Sequence, residues 1–310
     1  MSAITIEDQP PFPEWVDNTM LKAFRSCDRK AYWESFRNLT LRGGNIHLHA
    51  GGAFARGLER ARTAFYAEGM PEADAVGAGV VELVKAYDTF ENPEGSAKSC
   101  DRMMGALEYY FDVHPMSTDP LQPLLIEGKH AIEFSFAVPL PGTAHPITGD
   151  PILVSGRTDM LGIMDGTIYV EDDKTTKALG AMWVDQWALQ SQFMTYTWAA
   201  RSFGYDVGGA FIRGIAIRKT GYDHAEVPIY FPQWKLDRWL HQTQATVRRM
   251  IECWRTGEWH YDFGSGCGSY GGCSFRHLCD SPEPEKWVAT MYEARDWDPL
   301  APKELEAPKQ

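Results

Sequence analysis

Three charged residues stand near the ends of two neighbouring strand-like runs in the middle of the chain. Asp159 follows the run ILVSGRT, and Asp172 and Lys174 close the run TIYVEDDK, with the turn signal Asp165-Gly166 between them. Carboxylates are ligands that Mg²⁺ and Mn²⁺ prefer, and a neighbouring ammonium can lower the pKa of a water or stabilise phosphoryl charge. The pattern therefore predicts a metal site that hydrolyses phosphodiesters.

The alternation of side chains along a strand predicts which acids meet the metal. Successive side chains point to opposite faces, so Asp172 and Lys174 share one face while Glu171 and Asp173 share the other. We expect Asp159 and Asp172 to bind the metal through their carboxylates. Asp173 would contribute only its backbone carbonyl. A charged strand end in solvent is the alternative for such an acidic run, and the pairing with Asp159 argues against it.

A helix is predicted after these strands, in WVDQWALQSQFMTYTWAARSFG. Gln192 and Tyr196 lie one turn apart on it and therefore share a face. A glutamine amide can orient a phosphate, and a tyrosine can stack on a base or donate a hydrogen bond. We therefore count both residues as candidates for the catalytic site.

The segments GRTD, EDDKTT and Q-x-x-x-Y together resemble the PD-(D/E)XK nuclease superfamily, and within it the RecB-like exonuclease branch. That branch includes the CRISPR-associated adaptation nucleases and many phage recombination exonucleases. The resemblance implies that Asp159 and Asp172 bind Mg²⁺ or Mn²⁺, that Lys174 is the catalytic lysine and that Gln192 and Tyr196 form the extra motif of the branch. It also implies DNA as a partner, with a recombination or adaptation protein as a further one.

One position departs from the pattern of that branch, which usually carries a histidine ligand in G-x-x-x-H. Here the segment Gly52-Ala53-Phe54-Ala55-Arg56 ends in arginine, which cannot ligate a metal. The candidates for a replacement ligand are His47 and His49 in a predicted extended piece, Glu59, and Glu133 on the preceding strand. A site with fewer protein ligands is the other solution. Arg56 and Arg157 are candidates for contacts with nucleic-acid phosphates.

Three cysteines near the C-terminus follow the spacing Cys267-x5-Cys273-x5-Cys279. This is not the C-x-x-C of most zinc ribbons, and three thiolates need a fourth ligand for a tetrahedral zinc or a cubane cluster. In the RecB-like branch one N-terminal cysteine joins three C-terminal ones around a [4Fe–4S] cluster, and Cys27, in a helix predicted over 17–36, matches it. Zn²⁺ and unliganded thiols are the alternatives.

The order of the predicted elements, an antiparallel pair of strands, then a helix and a further strand, predicts the α/β (α+β) class, with a central mixed sheet flanked by helices, and the composition indicates a folded chain. The chain has 310 residues, 44% of them hydrophobic, and a formal charge of 30 − 42 = −12, which disfavours non-specific coating of DNA. We expect a single nuclease domain over 1–310. It would comprise a helical part at 15–115, a core at 123–222, a helix and cysteine region at 232–282 and a tail at 283–310.

The chain shows no secretory signal and no run of about 18 apolar residues, so we expect no membrane partner and a cytoplasmic location in a bacterial or phage-infected cell. The predicted function is a metal-dependent DNA exonuclease acting on ends or single strands in recombination or end processing. The alternatives are a non-catalytic nucleic-acid or partner-binding module with a structural Fe–S cluster, and a structure-dependent endonuclease of the same superfamily.

Overall fold

Helices dominate the N-terminal part of the chain, a run of strands follows it, and helices return after the last sheet strands. The structure is a computed structural model, and it describes residues 9–43, 46–88, 96–268 and 272–295. Its strands in chain order are β1 (Trp15–Val16), β2 (Leu39–Leu41), β3 (Gln122–Pro123), β4 (Leu125–Ile126), β5 (Lys129–His130), β6 (Ile132–Pro139), β7 (Leu153–Met164), β8 (Thr167–Thr176), β9 (Val207–Ile217), β10 (Tyr222–Tyr230) and β11 (Tyr292–Ala294).

The helices complete the architecture. They are α1 (Asn18–Ser26), α2 (Asp28–Ala31), α3 (Ile46–Arg62), α4 (Glu72–Tyr87), α5 (Cys100–Val113), α6 (Ala181–Asp185), α7 (Ser191–Ser202), α8 (Gln233–Thr256), α9 (Ser265–Gly268), α10 (Arg276–Cys279) and α11 (Pro284–Met291). Wider π-type turns continue α2 over Tyr32–Phe36 and α3 over Thr63–Ala67, and a 3₁₀ turn follows α6 over Gln186–Leu189. No helix in the described ranges is long and apolar enough to cross a membrane.

The central sheet is mixed, as the sequence predicts. Its strand order is β1-β7-β8-β9-β10, with β3 and β6 also pairing with β7. Strands β7 and β8 form an antiparallel hairpin whose turn residues Asp165 and Gly166 both have positive φ, 50° and 77°, the conformation of the predicted tight turn. Strands β8 and β9 are parallel. The predicted fold class, a mixed sheet with flanking helices, is confirmed.

Helices α3, α4 and α5 pack together around a group of buried apolar residues. Side chains of α3, α4 and α5 form one core cluster with Ile215 and Ile217 of β9. The spacing on α3 explains its orientation, since Phe54, Leu58 and Ala61 recur at helical intervals and are all buried. These helices therefore cover the end of the sheet where β8 and β9 finish.

Two helices predicted as continuous are broken. The helix predicted over 17–36 stops at Cys27, whose backbone is extended at φ −172° and ψ 125°, and restarts at Asp28. Asp17 caps its first half by accepting a hydrogen bond from the Met20 amide at 2.7 Å. The helix predicted over 183–203 is likewise interrupted at Gln190, which is extended at ψ 120°. Apolar periodicity runs through both breaks, which is why the sequence pattern did not reveal them.

Further elements differ from the predictions. The strand predicted over 124–140 is interrupted by a turn at Glu127 and Gly128, both with positive φ. His47 and His49 lie in α3 instead of an extended piece, and Cys100 begins α5 instead of lying in the preceding loop. Strand β10, which pairs antiparallel with β9, was not predicted, because its pattern YDHAEVPIY contains a proline and two acids.

The chain divides into two compact units. The first is formed by Met1–Gly43, Phe136–Gly156 and Trp234–Gln310, and the second by Gly44–Ser135 and Arg157–Gln233. Within the first unit, β2 and β11 pair antiparallel, so chain segments near both ends meet in one small sheet. The predicted single domain with sequential parts stays a prediction.

Candidate active site

The hairpin of β7 and β8 brings the two predicted metal-binding acids next to each other. Met160 pairs with Glu171, so Asp159 and Asp172 are the next residues along the two antiparallel strands. The backbone amide of Asp173 donates a hydrogen bond to Oδ2 of Asp159 at 2.7 Å. This bond orients the Asp159 carboxylate and leaves its other oxygen to act as a ligand.

The side chains around Asp172 are those named by the sequence motifs. The Lys174 ammonium forms an ion pair with Oδ2 of Asp172, while Nε2 of Gln192 donates to Oδ1 at 3.2 Å. The same amide donates to the Tyr196 hydroxyl at 3.0 Å. Tyr196 is buried, so its hydroxyl acts here by holding Gln192 and not by presenting a ring surface. Strand β8 and helix α7 thus bring Asp172, Lys174, Gln192 and Tyr196 together.

The charges of this group fit a divalent cation. Burial raises the pKa of Asp172 to about 7 against the influence of Lys174, and the nearby Asp159 adds to the rise. Burial also raises the pKa of Asp159. Burial lowers the pKa of Lys174, but Asp172 and Asp159 outweigh it, so the net shift is upward. Two buried carboxylates that repel each other gain most from a doubly charged ion with a preference for oxygen ligands.

The opposite face of β8 carries a different arrangement. The Arg62 guanidinium bridges two acids, with Nη2 at 2.7 Å from Oε1 of Glu171 and Nη1 at 2.9 Å from Oδ2 of Asp173. Both acids and the arginine are buried, so the carboxylates are held away from the Asp172 face. The side chains alternate along β8 as the sequence predicts.

A second arginine extends this buried network. Arg213 on β9, the strand neighbour of Asp173, binds both oxygens of Asp119 at 2.5 and 2.7 Å and lies 3.8 Å from Glu171. The Tyr110 hydroxyl accepts a hydrogen bond from Arg62 at 2.6 Å. Sequence reasoning missed these residues, because they are spread over four elements. The sequence signal was an arginine at a position where the apolar pattern predicts burial, once on α3 and once on β9.

Helical geometry clarifies the position where a histidine ligand was sought. Ala55 is seven residues, or about two helical turns, before Arg62, so it lies on the same face of α3 as that buried arginine. Arg56 lies about 100° further round the helix and is exposed to solvent. Thus neither residue on this stretch of α3 offers a metal ligand.

The replacement ligands proposed from the sequence have other surroundings. Nε2 of His49 is hydrogen-bonded to the Tyr87 carbonyl at 2.7 Å. His47 is largely exposed, and the small part of it that is buried, together with the charges of Lys98 and Lys177, lowers its pKa. Glu133, at a positive φ of 52°, lies 3.6 Å from Nη1 of Arg157. Glu59 lies on α3 and is half-buried.

Arg157 is engaged on the sheet surface. Its Nε donates to the Ser135 hydroxyl at 2.9 Å, in addition to the Glu133 contact. The structure therefore shows Arg157 paired within the protein, and Arg56 on the exposed face of α3. Contacts of either residue with phosphates stay a prediction.

The four predicted cluster ligands line one cavity within the first unit: Cys27, Cys267, Cys273 and Cys279. Burial raises the pKa of Cys279 to about 11, with Cys27 and Cys273 adding to the rise. Burial raises the pKa of Cys273 as well. Half-buried thiols that line one cavity can serve as metal ligands, because a metal stabilises thiolates. The break at Cys27 turns that residue out of the helix and toward the cavity.

A second group in the first unit was not foreseen. Asp28, Cys253 and His260 bring their possible ligand atoms within 4.8 Å of one another. Both oxygens of Asp28 are, however, bound by Nη2 of Arg249 at 2.7 and 2.6 Å. A guanidinium held this closely makes the group an ion-pair network, which fixes α2 beside α8.

Comparison with known families identifies the superfamily of this chain. The model of the PD-(D/E)XK nuclease superfamily matches residues 18–280, which is most of the chain. The protein therefore belongs to the PD-(D/E)XK nuclease superfamily. Its members are in general hydrolytic nucleases that act on DNA and commonly use Mg²⁺ or Mn²⁺.

Similarity to individual proteins is weak. No curated protein matches the chain. Among solved structures, the chain is similar to one described as "Crystal structure of SSO0001", with 13% identity and a TM-score of 0.30 over 73% of this chain and 83% of that chain.

Proposed function

We propose that this protein is a metal-dependent DNA exonuclease of the RecB-like branch, acting at DNA ends or on single strands during recombination or end processing. The observation that carries the proposal is the group formed by Asp159, Asp172 and Lys174 on the hairpin, joined by Gln192 from α7. The Gln192–Tyr196 pair supports the RecB-like assignment, because it contacts the catalytic acid directly.

The proposed roles follow from the contacts. Asp159 and Asp172 would hold Mg²⁺ or Mn²⁺ through their carboxylates, with the Asp173 carbonyl as a further ligand. A bound metal would polarise the phosphate and activate a water. The Lys174 ammonium, kept protonated by the two acids, would stabilise negative charge that develops on the phosphate. Gln192 would keep the Asp172 carboxylate in position.

Activity on three DNA forms tests the proposal. End-labelled single-stranded DNA, end-labelled duplex and closed circles are incubated with Mg²⁺ or Mn²⁺ and with wild type or Lys174→Ala. We expect wild type to degrade linear DNA from an end, and Lys174→Ala to be inactive. Cutting of circles would establish an endonuclease. DNA binding without any cleavage would establish the non-catalytic binding module.

A [4Fe–4S] cluster held by Cys27, Cys267, Cys273 and Cys279 is part of the same proposal. The cavity lined by these four thiols supports it, since four thiolates complete the ligand set of such a cluster. The cluster would connect an N-terminal helix junction to the C-terminal segment, and zinc is the competing occupant.

Metal analysis of anaerobically purified protein decides between the occupants. We expect iron and acid-labile sulfide in equal amounts, and their loss in Cys279→Ala. Cys253→Ala is the matched control, because Cys253 is buried on α8 and does not line the cavity. Stoichiometric zinc would replace the cluster assignment, and protein without either metal would refute it.

A further inference from the structure

A buried lysine lies next to the strand that carries the candidate site, and its side-chain partner within the described residues is a neutral hydroxyl. Only 7% of Lys98 is exposed, and its ammonium donates a hydrogen bond to Oγ1 of Thr175 at 2.9 Å. Within the ranges described by the structure, no carboxylate forms an ion pair with this ammonium. A neutral hydroxyl satisfies one of its three donors but leaves its charge unbalanced, and burying an unpaired charge is costly.

The segment that carries Lys98 is held in place on both sides. Its backbone amide donates to Oγ of Ser96 at 3.1 Å, and its carbonyl accepts a hydrogen bond from the buried Tyr87 hydroxyl at 2.6 Å. The carbonyl of Tyr87 is in turn hydrogen-bonded to His49 on α3. Lys98 is therefore a fixed cation in a built environment, unlike a mobile lysine on the surface.

A second lysine lies near this ammonium. Lys177 stands one residue beyond the end of β8, and it adds to the effect of burial in lowering the pKa of Lys98. Both lysines also add to burial in lowering the pKa of His47, at the start of α3, and this favours its neutral form. Side chains from two separate segments thus concentrate positive potential at one place, although the chain as a whole is acidic.

The surroundings of Lys98 and Thr175 adjoin the candidate active site. Thr175 directly follows Lys174 on β8, and neighbouring residues of a strand are only about 3.3 Å apart. Their side chains point to opposite faces, and β8 ends one residue further on, at Thr176. In α/β sheets, ligands bind beyond the carboxyl ends of the strands.

We propose that Lys98, supported by Thr175 and Lys177, forms a phosphate-binding subsite for the DNA strand beside the scissile phosphate. The proposal rests on the proposed nuclease function, since it places a second phosphate of the same substrate. That phosphate is either an internal phosphodiester or a terminal phosphomonoester, and both offer oxygens that accept from the fixed ammonium. Lys98 is a positioning residue, separate from Lys174.

Binding of single-stranded oligonucleotides to the Lys174→Ala protein tests the subsite. The oligonucleotides carry a phosphate or a hydroxyl at either end, and binding is measured by fluorescence anisotropy over a series of salt concentrations. We expect Lys98→Met to weaken binding about tenfold, and to reduce the slope of log K against log salt by about 0.7, the value for one lost contact with a single strand. Lys98→Arg should retain most of the affinity.

The matched control is Lys85→Met, which removes the same charge from an exposed position on α4. It should change affinity much less than Lys98→Met. Thermal unfolding without DNA gives a second readout. Lys98→Met should be as stable as the parent protein or more stable, because it removes a buried charge with no counter-charge. A clear loss of stability would instead show that Lys98 is structural, and would overturn the proposal.

The terminal groups distinguish the two phosphate sources. If the phosphate is terminal, the parent protein prefers one phosphorylated end and Lys98→Met abolishes that preference. If it is internal, Lys98→Met weakens binding equally for all oligonucleotides. Unchanged affinity and salt slope in Lys98→Met, with wild type active on DNA, would refute the subsite alone. A wild type that neither binds nor cleaves DNA would refute the nuclease function as well.

Discussion

The two faces of strand β8 carry the same kinds of charge but differ in their partners. On one face, Asp172 meets a lysine and a glutamine amide. On the other, Glu171 and Asp173 share the guanidinium of Arg62. Arginine is always charged and holds carboxylates in a planar fork, so the acids of the second face are bound by a guanidinium that cannot lose its charge. On the first face, Asp159 and Asp172 interact with the single ammonium of Lys174, and we expect a metal to balance the remaining carboxylate charge.

This contrast separates reactivity from support. The Arg62 face supports the strand that carries the proposed metal-binding acids, and its own carboxylates are held by Arg62, with Arg213 also near Glu171. Burial raises the pKa of acids on both faces, of Glu171 to about 8 and of Asp172 to about 7, and a cation bound on the Asp172 face would offset this cost there. Substitutions on the Asp172 face should therefore affect mainly activity, and substitutions on the Arg62 face should affect mainly folding.

The largest expected effect is on the reactive face. Asp172→Asn and Lys174→Met should each lower kcat/KM on DNA by about 10²–10⁴, the range of a lost catalytic group. The free energy of unfolding in EDTA should be unchanged or higher for Asp172→Asn, because it removes a buried acid whose pKa is raised, and lower for Lys174→Met, because Asp172 and Asp159 lose their counter-charge. Initial rates and urea unfolding measure the two quantities. A clear fall in the stability of Asp172→Asn would break the contrast between the faces.

On the supporting face, Arg62→Met should lower the free energy of unfolding by about 3–5 kcal/mol, because two buried carboxylates lose their partner. Arg56→Met, on the exposed side of the same helix, is the control and should change stability by less than about 0.5 kcal/mol. Adding Glu171→Gln to Arg62→Met should recover part of the loss, as coupled residues do. Urea unfolding without metal tests all three, and an additive double variant would exclude direct coupling.

A smaller effect is expected at the support of Asp172. Gln192→Ala should reduce metal affinity or kcat by about 10–100-fold, the usual consequence of losing a group that orients a ligand. Tyr196→Phe removes only the hydroxyl that accepts from Gln192 and should have a weaker effect in the same direction. Steady-state rates at several Mn²⁺ concentrations would show it. Wild-type activity in both variants would mean that Asp172 needs no such support.

The pH dependence of metal binding gives the smallest effect. A metal needs the deprotonated carboxylate, and the pKa of Asp172 without metal is about 7. Apparent Mn²⁺ affinity should therefore be nearly constant above that pH, and fall by up to about tenfold per pH unit below it. Calorimetric titrations between about pH 8 and about pH 6 measure this slope. An affinity independent of pH would show that Asp172 is ionised before the metal binds.

Much of the candidate site could be predicted because its information is local. Asp172 and Lys174 are two residues apart, and Asp159 is one hairpin away, so alternation and a turn signal suffice to place them. Gln192 and Tyr196 are one helical turn apart and were paired by the same kind of argument. Their contact with Asp172 is a tertiary fact, but it joins segments that are only 20 residues apart.

The supporting interactions could not be predicted because their partners are distant in sequence. Arg62 and Glu171 are 109 residues apart, and Lys98 and Thr175 are 77 apart. Nothing in either local pattern distinguishes a buried arginine from one on the surface. The break at Cys27 was missed for a related reason, since apolar spacing continues across it while the backbone turns toward a cavity formed by distant residues.

The sequence alone determined the mixed sheet, the hairpin and the residues that form the acid–lysine group, because short-range periodicity and turn chemistry set these features. Only the tertiary structure decided which groups hold the acids on the opposite face of β8, since this depends on where Arg62 and Arg213 arrive from other elements. It likewise brought four cysteines from two ends of the chain to one cavity. Packing of distant segments sets these features, and periodicity along the chain does not record it.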